Sequence, residues 1–313
     1  MRAAVAIVAV LAGASALAAQ PALTLQEILL RAKPAVAMIV SEVRGHVTVR
    51  CGDSAPSTTV TLPPFRETGT GWFVSPAGWL ITNAHVVASA HRPPRWLVRE
   101  RTARAVREAC PQAAVGATAT PALETAISVL LPNGLKLPAV VVKYSPPVAD
   151  EEMSGQDLAL LRVEAADMPT LRLGDSAPLK IGDRIHIIGF PSVVLDHELL
   201  SATARMEASI TSGAVSGFRV DRANQAVIQT DAPAAWGNSG GPALNHAGDV
   251  VGVLTFVAMR SAPADAAVQG FNFVIPSAAV AEFLEGTPVP LDEPSRFNAA
   301  WPTGLRHHFL ADH

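Results

Sequence analysis

The sequence has no basic excess: 24 Lys and Arg stand against 27 Asp and Glu, a formal net charge of −3 over 313 residues. This excludes the pronounced positive field that a nucleic-acid binder needs. Charge of either sign is scarce, at 16% against 49% hydrophobic residues, so the chain has material for globular cores and is no disordered tail. Beyond the N-terminus no uncharged apolar stretch approaches the roughly 20 residues that span a bilayer, so a soluble mature chain is expected. Long helical patterns are scarce too, which argues against alternating βαβ units, and no internal repeat is visible. Cysteine is nearly absent. The two present, Cys51 and Cys110, are a candidate disulfide if the chain is exported, with two free buried thiols as the alternative. His307 and His308 lack the Cys or acidic neighbours of a ligand cluster, so no metal site and no cofactor is predicted.

The first 18 residues read as an export signal: Arg2 is a small positive region, an apolar run follows, and Ala16 and Ala18 are the small residues a signal peptidase reads. A periplasmic or secreted protein is expected. Thr24 and Glu27 fit a capping box that opens a helix over Thr24 to Ala32, ending at Pro34, so residues 19–34 are read as helix and linker. From there to residue 285 short runs rich in Val, Ile, Leu and Thr alternate with Gly, Pro, Asn, Asp and Ser. The clearest are Val36 to Val43, Gly71 to Ser75, Leu158 to Val163 and Val250 to Val257, and the pattern is that of an all-β sandwich or barrel. A second helix is expected from Pro276 to Glu285, stopped by Gly286. Residues 286–313 carry four prolines and little periodicity, and read as a tail. His91 to Glu108 breaks the β texture with six arginines against two glutamates. Arg92 to Arg107 is a candidate basic helix for an anionic surface such as lipid headgroups, but its apolar residues form no clean stripe, and a solvated surface insertion is the favoured reading.

Ser239 lies in Gly237-Asn-Ser-Gly-Gly. A serine becomes a nucleophile only when a base takes its proton, a third group orients the base, and backbone N–H groups await the oxyanion. Glycine permits a tight turn in which the N–H groups of Gly237 and Ser239 point the same way; a glycine-rich hairpin is the plainer alternative. Among nine histidines, His85 stands out, at the end of the apolar run Trp79 to Thr82 and the start of a turn, though a structural histidine would also fit there. His186, inside Ile185 to Gly189, reads as a barrel-wall residue. Asp157 directly precedes an apolar strand, where its desolvation would be offset by a histidine partner; a strand-end turn acid is the competing reading.

His85, Asp157 and Ser239, in that order and with these contexts, resemble the trypsin/chymotrypsin-like serine proteases, and within them the HtrA/Deg family. The resemblance spans Gly69 to Phe283 and rests on Thr68-Gly-Thr-Gly-Trp-Phe-Val, Asp157-Leu-Ala-Leu-Leu, Ser209-Ile-Thr-Ser-Gly-Ala-Val-Ser, Gly-Asn-Ser-Gly-Gly-Pro and Gly270-Phe-Asn-Phe-Val-Ile-Pro. It implies two perpendicular six-stranded β-barrels, over about 35–168 and 169–285, with the site in the cleft between them. It implies His85 as general base, Asp157 as its orienting acid, Ser239 as nucleophile, and an oxyanion hole of the Gly237 and Ser239 amides. Thr255, Phe256 and Val257 would offer a strand edge to an extended peptide, and Pro233, Ala234 and Gly270 would line the P1 pocket. None is charged, so small or aliphatic P1 residues are expected.

The implied function is an endopeptidase of unfolded or extended polypeptide, of the protein quality control type, with homo-oligomers left open. Some features depart from the family. Asn238 cannot pair with a new N-terminus as an aspartate would, so loop ordering is the expected control. Trp236 stands where proline is common, Ser192 to Glu207 is long, and no PDZ domain is expected after Gly286. A catalytically silent peptide-binding or chaperone module on the same fold is the alternative function. The nucleophile elbow of an α/β-hydrolase fits poorly, because the best acid and histidine precede the serine.

Overall fold

The computed structural model describes residues 23–112, 116–146, 148–149, 152–153, 155–255, 270–291 and 293–311. Its first barrel runs through β1 (Val36–Arg50), β3 (Phe65–Ser75), β4 (Trp79–Thr82), β9 (Leu158–Val163), β6 (Lys136–Ser145) and β5 (Thr118–Leu130), and closes because β5 pairs back onto β1. The second closes through β10 (Arg184–Gly189), β11 (Ser209–Val220), β12 (Ala226–Thr230), β15 (Asn272–Pro276), β14 (Val250–Thr255) and β13 (Pro242–Leu244). Outside the barrels, β2 (Ser57–Thr61) pairs with the far end of β1, and β7 (Val148–Ala149) pairs with β8 (Glu152–Met153). The expected all-β double barrel is the observed architecture. The site strands lie where the apolar runs predicted them; the export signal at 1–18 lies outside the described residues.

Side-chain alternation explains why several strands are apolar on both faces. In β9, Leu158 and Leu160 enter the layer between the barrels, while Ala159, Leu161 and Val163 fill the first barrel. β3 divides the same way, with Trp72 and Val74 between the barrels and Phe73 inside. The second barrel supplies Ile188, Leu244, Val253 and Ile275 to the shared layer and Ile187, Ala243, Leu254 and Val274 to its own interior. A strand with water on one face would need polar residues at every second position; these have none to spare because both faces are covered. The shared layer fixes one barrel against the other, and hence the cleft.

Helix α1 (Leu25–Ala32) has the expected capping box, with Thr24 and Glu27 each accepting a backbone N–H of the other. Helix α6 (Ser277–Leu284) stops before Gly286, whose φ is +72°. Four segments hold helices beyond the two clearest in the sequence. The turn after β4 is helix α2 (Ala84–His91), which carries His85 on its first turn. The arginine-rich insertion is helix α3 (Arg95–Ala109), which buries Leu97, Arg101 and Ala105. An arginine in the middle of that stripe is why no apolar pattern was legible. Two single-turn helices, α4 (Ser192–Leu195) and α5 (Ala202–Arg205), punctuate the long loop after β10.

The fourth is at the C-terminus, where the expected tail contains helix α7 (Arg296–Ala311), with Pro302 inside it. It is fastened at its start: Ser295 Oγ accepts the Asn298 N–H and donates to Met168 O, and Asn298 bonds Thr170. Phe297 and Trp301 stack at i and i+4, with centroids 5.5 Å apart, and Trp301 Nε1 donates to Leu30 O of α1 at 3.1 Å. The helix depends on these tertiary partners more than on its own periodicity.

β2, the outer halves of β1 and β5, and α3 form an outrigger with its own small core of Val47, Val49, Val60, Leu62 and Ala105. Cys51 and Cys110 are disulfide-bonded at its edge, with Cα atoms 5.6 Å apart. Closing a loop with a sequence separation of 59 residues contributes about 4 kcal/mol in the chain-entropy model.

Candidate active site

Asp157 is the anchor. It is 7% exposed and has φ +54°, a left-handed conformation uncommon outside glycine. That backbone turns carbonyl and carboxylate toward the start of α2. The carbonyl accepts the Ala84 N–H at 3.1 Å and Asn83 Nδ2 at 2.9 Å, and carboxylate Oδ1 accepts the His85 N–H at 3.0 Å. Asn83 occupies the N-cap position of α2 without making a side-chain cap bond. The acid from β9's entry therefore caps the helix in its place, with negative charge where the helix dipole favours it.

The second carboxylate oxygen, Oδ2, lies 2.8 Å from His85 Nδ1 and accepts the Thr255 hydroxyl at 2.7 Å. An ionised carboxylate only accepts, so Nδ1 carries the proton and neutral His85 has Nε2 as its basic atom. The ring is 36% exposed. Burial opposes the imidazolium, but the Asp157 charge and hydrogen bond, together with the charge of Glu67, outweigh it and raise the His85 pKa above the ordinary imidazole value.

Ser239 is held differently. Its carbonyl accepts the Thr70 N–H at 2.8 Å, and the neighbouring Gly240 N–H donates to Leu254 O at 2.9 Å. Thr70 Oγ1 donates to Gly237 O at 2.7 Å and accepts the Phe190 N–H at 3.0 Å, while its carbonyl accepts Thr82 Oγ1 at 2.7 Å. One first-barrel threonine thus braces the second barrel's turn. Gly237 has φ +92°, and a Cβ there would lie 2.3 Å from Phe190 O; Gly240 has φ +86°, and its Cβ would lie 2.1 Å from Thr70 O. Both positions need glycine for space as well as for φ. The Trp236 carbonyl accepts the Ser192 N–H at 2.7 Å. Because a trans peptide sets N–H opposite C=O, this bond turns the Gly237 N–H away from Ser192. Neither the Gly237 nor the Ser239 N–H donates to another described residue. Ser239 Oγ is buried and makes no hydrogen bond among the described residues.

The fold therefore joins His85 to Asp157 directly and places Ser239 on a turn braced from the first barrel. Of the expected substrate residues, Thr255 has its hydroxyl on Asp157 and is 2% exposed, and Ala234 is buried in the second barrel's core. Pro233 is exposed and its carbonyl accepts Thr211 Oγ1 at 2.7 Å. Gly270 has φ +87° and precedes β15, whose Asn272 Nδ2 donates to Ala232 O at 2.7 Å. Phe256 and Val257 lie outside the described residues. His186 is a barrel-wall residue as expected, 2% exposed with Nδ1 2.7 Å from Ser212 Oγ. The sequence reading missed Thr70, Thr82 and the acid-binding role of Thr255. A threonine between two glycines in Gly69-Thr-Gly71 was the available signal for the first.

Comparison with known proteins identifies the family and the fold. The family model for the trypsin-like peptidase domain matches residues 69–253. A probable periplasmic serine endoprotease, DegP-like, of Chlamydia pneumoniae is 31% identical over 213 residues, 67% of this chain and 32% of the relative. The mitochondrial serine protease HTRA2 of Bos taurus is 30% identical over 224 residues, 69% of this chain and 35% of the relative. The chain spans about a third of the length of these curated relatives. Structures of the HtrA-type protease AlgW with a tripeptide and with a decapeptide share the fold, each at TM-score 0.51, with 23% and 22% identity. They cover 83% of this chain and 62% and 66% of theirs.

Proposed function

The chain belongs to the trypsin-like peptidase family, in its HtrA type, and we propose that it is an exported serine endopeptidase acting on extended or unfolded polypeptide. Ser239 Oγ attacks the scissile carbonyl carbon and passes its proton to His85 Nε2. The oxyanion is received by the N–H groups of Gly237 and Ser239. His85 then protonates the leaving amine as the C–N bond breaks; water, deprotonated by His85, attacks the acyl carbon, and His85 returns that proton to Ser239 Oγ as the ester bond breaks. Asp157 stabilises the imidazolium throughout. Losing one oxyanion donor typically costs about 3 kcal/mol of transition-state stabilisation.

The observation that carries this reading is the Asp157 carboxylate, buried and bonded at once to the His85 ring, the His85 backbone and the Thr255 hydroxyl. A turn acid would need none of these partners. A fluorophosphonate probe tests the proposal: it should label the folded protein and fail to label Ser239→Ala. The second reading, a silent peptide-binding module, draws on the absent bond between Ser239 Oγ and His85; a folded protein that resists the probe would sink the endopeptidase. For the endopeptidase, substrate binding brings hydroxyl and imidazole together, since catalytic hydrogen bonds often tighten only in the Michaelis complex.

Uncharged Pro233, Ala234 and Gly270 support cleavage after small or aliphatic residues, and the Thr255 end of β14 supports pairing with an extended peptide, in a quality-control role. Profiling of cleavage sites against Ser239→Ala tests this, with charged P1 residues as the contrary result. A periplasmic or secreted location is supported by the export pattern of residues 1–18, the disulfide and relatives named periplasmic.

A further inference from the structure

Helix α3 presents two unlike faces. Leu97, Arg101 and Ala105 recur every fourth residue and are buried, whereas Arg95, Trp96, Arg99, Ala103 and Arg107 are exposed. At about 100° per residue these five lie within an arc of roughly 120°, opposite the buried stripe, and exposed Glu100, Arg104 and Glu108 extend the solvated surface to one side. Four of the helix's arginines, Arg95, Arg99, Arg104 and Arg107, are exposed and make no ion pair among the described residues. Only Glu100 and Glu108, at the flank, oppose them on the same helix. On a chain of net charge −3 this is a local reversal of sign.

Trp96 lies among these arginines. It is 56% exposed, supported edge-on by Phe65 at 5.9 Å between centroids. An indole left in water beside unpaired guanidinium groups combines apolar area, a polar tip and fixed positive charge. The platform beneath is firm: Arg101 Nη2 donates to Pro63 O at 3.0 Å, and the disulfide closes the end of the helix.

We propose that this face docks the protein on an anionic lipid surface, with the arginines meeting headgroup phosphates and Trp96 seated at headgroup level. The exposed indole among the arginines favours lipid over a dissolved polyanion, because its ring gains by entering an interface that is apolar on one side and wet on the other. Helix α3 follows α2 across Arg92, Pro93 and Pro94, so docking would also hold the His85 side of the cleft at a set distance from the lipid. Docking of this face is independent of catalysis.

Cosedimentation of the full chain with phosphatidylcholine vesicles, with and without phosphatidylglycerol, tests it. Binding should require phosphatidylglycerol and fall with salt. Arg95→Glu/Arg99→Glu/Arg107→Glu should weaken it by on the order of a hundredfold with an unchanged melting temperature, and Trp96→Ala should weaken it further by several-fold. Equal binding to phosphatidylcholine alone, or full binding by the triple variant, would overturn the proposal. So would binding to soluble heparin as tight as to vesicles and indifferent to Trp96→Ala. If the triple variant fails to fold, the lipid and salt dependence of the wild type still decides.

Discussion

The proposed acid–base half of the site and the proposed nucleophile half are built by opposite means. Asp157 and His85 are fixed by side-chain bonds, and the carboxylate alone holds the ring, a helix N–H and a hydroxyl from the other barrel. Ser239 is fixed by its backbone, through Thr70 and two glycines that only a turn this tight demands, while its hydroxyl makes no bond among the described residues. A base must be oriented before it can take a proton, so its rotamer is locked. A nucleophile has to move from its resting place to the substrate carbon, so only its pivot is locked. The two halves meet through Thr70 and Thr255, each bonding across the barrel boundary.

The largest effect should come from breaking the locked half. Asp157→Asn removes the acceptor for Nδ1–H, favours the wrong tautomer and should lower kcat by about 10⁴-fold, measured on a peptide substrate. Next comes the pivot. Asn238 is 4% exposed, and its Oδ1 makes no hydrogen bond among the described residues. Asn238→Asp would place an uncompensated charge there, at a cost of about 3 kcal/mol of stability, read from the denaturation midpoint; an unchanged midpoint would sink this account of the turn.

The two bridging threonines sharpen the comparison. Thr70→Val removes the brace on Gly237 and Phe190 and should lower kcat roughly 30-fold, whereas Thr255→Val, which removes one of three bonds to the Asp157 carboxylate, should lower it about tenfold. Equal effects, or effects on KM alone, would mean that the halves are not separately held.

Glu67→Gln should have the smallest effect. Glu67 helps raise the His85 pKa, so its removal should move the acid limb of kcat/KM to lower pH, with the plateau unchanged; a limb moving upward would contradict the assigned field. The same raised pKa gives a stability contribution present in full below the unfolded histidine's pKa and lost as pH rises through the folded one. As pH rises, His85 becomes competent as a base while this contribution declines.

Much of this molecule was legible from residues in one dimension. The β runs, the Thr24 capping box and the glycine turn are local patterns, because strand alternation, helix caps and tight turns are set by neighbours within a few positions; His85, Asp157 and Ser239 were singled out by their local contexts and grouped by the resemblance to a family. What lay beyond reach depends on contacts between distant segments. Helix α3 hides its stripe behind Arg101, whose burial is meaningful only once Pro63 is beside it. Helix α7 needs Leu30, Met168 and Thr170 to become more than a proline-bearing tail. The hydroxyls of Thr70 and Thr255 are ordinary strand threonines until closure of two barrels brings them to Gly237 and Asp157. The sequence by itself determined the β strands, the glycine turn and which side chains are candidates for the chemistry. Only the tertiary structure decided which of them are locked and which are left to move, because hydrogen bonds across more than a hundred residues of chain exist only after both barrels have closed over their shared apolar layer.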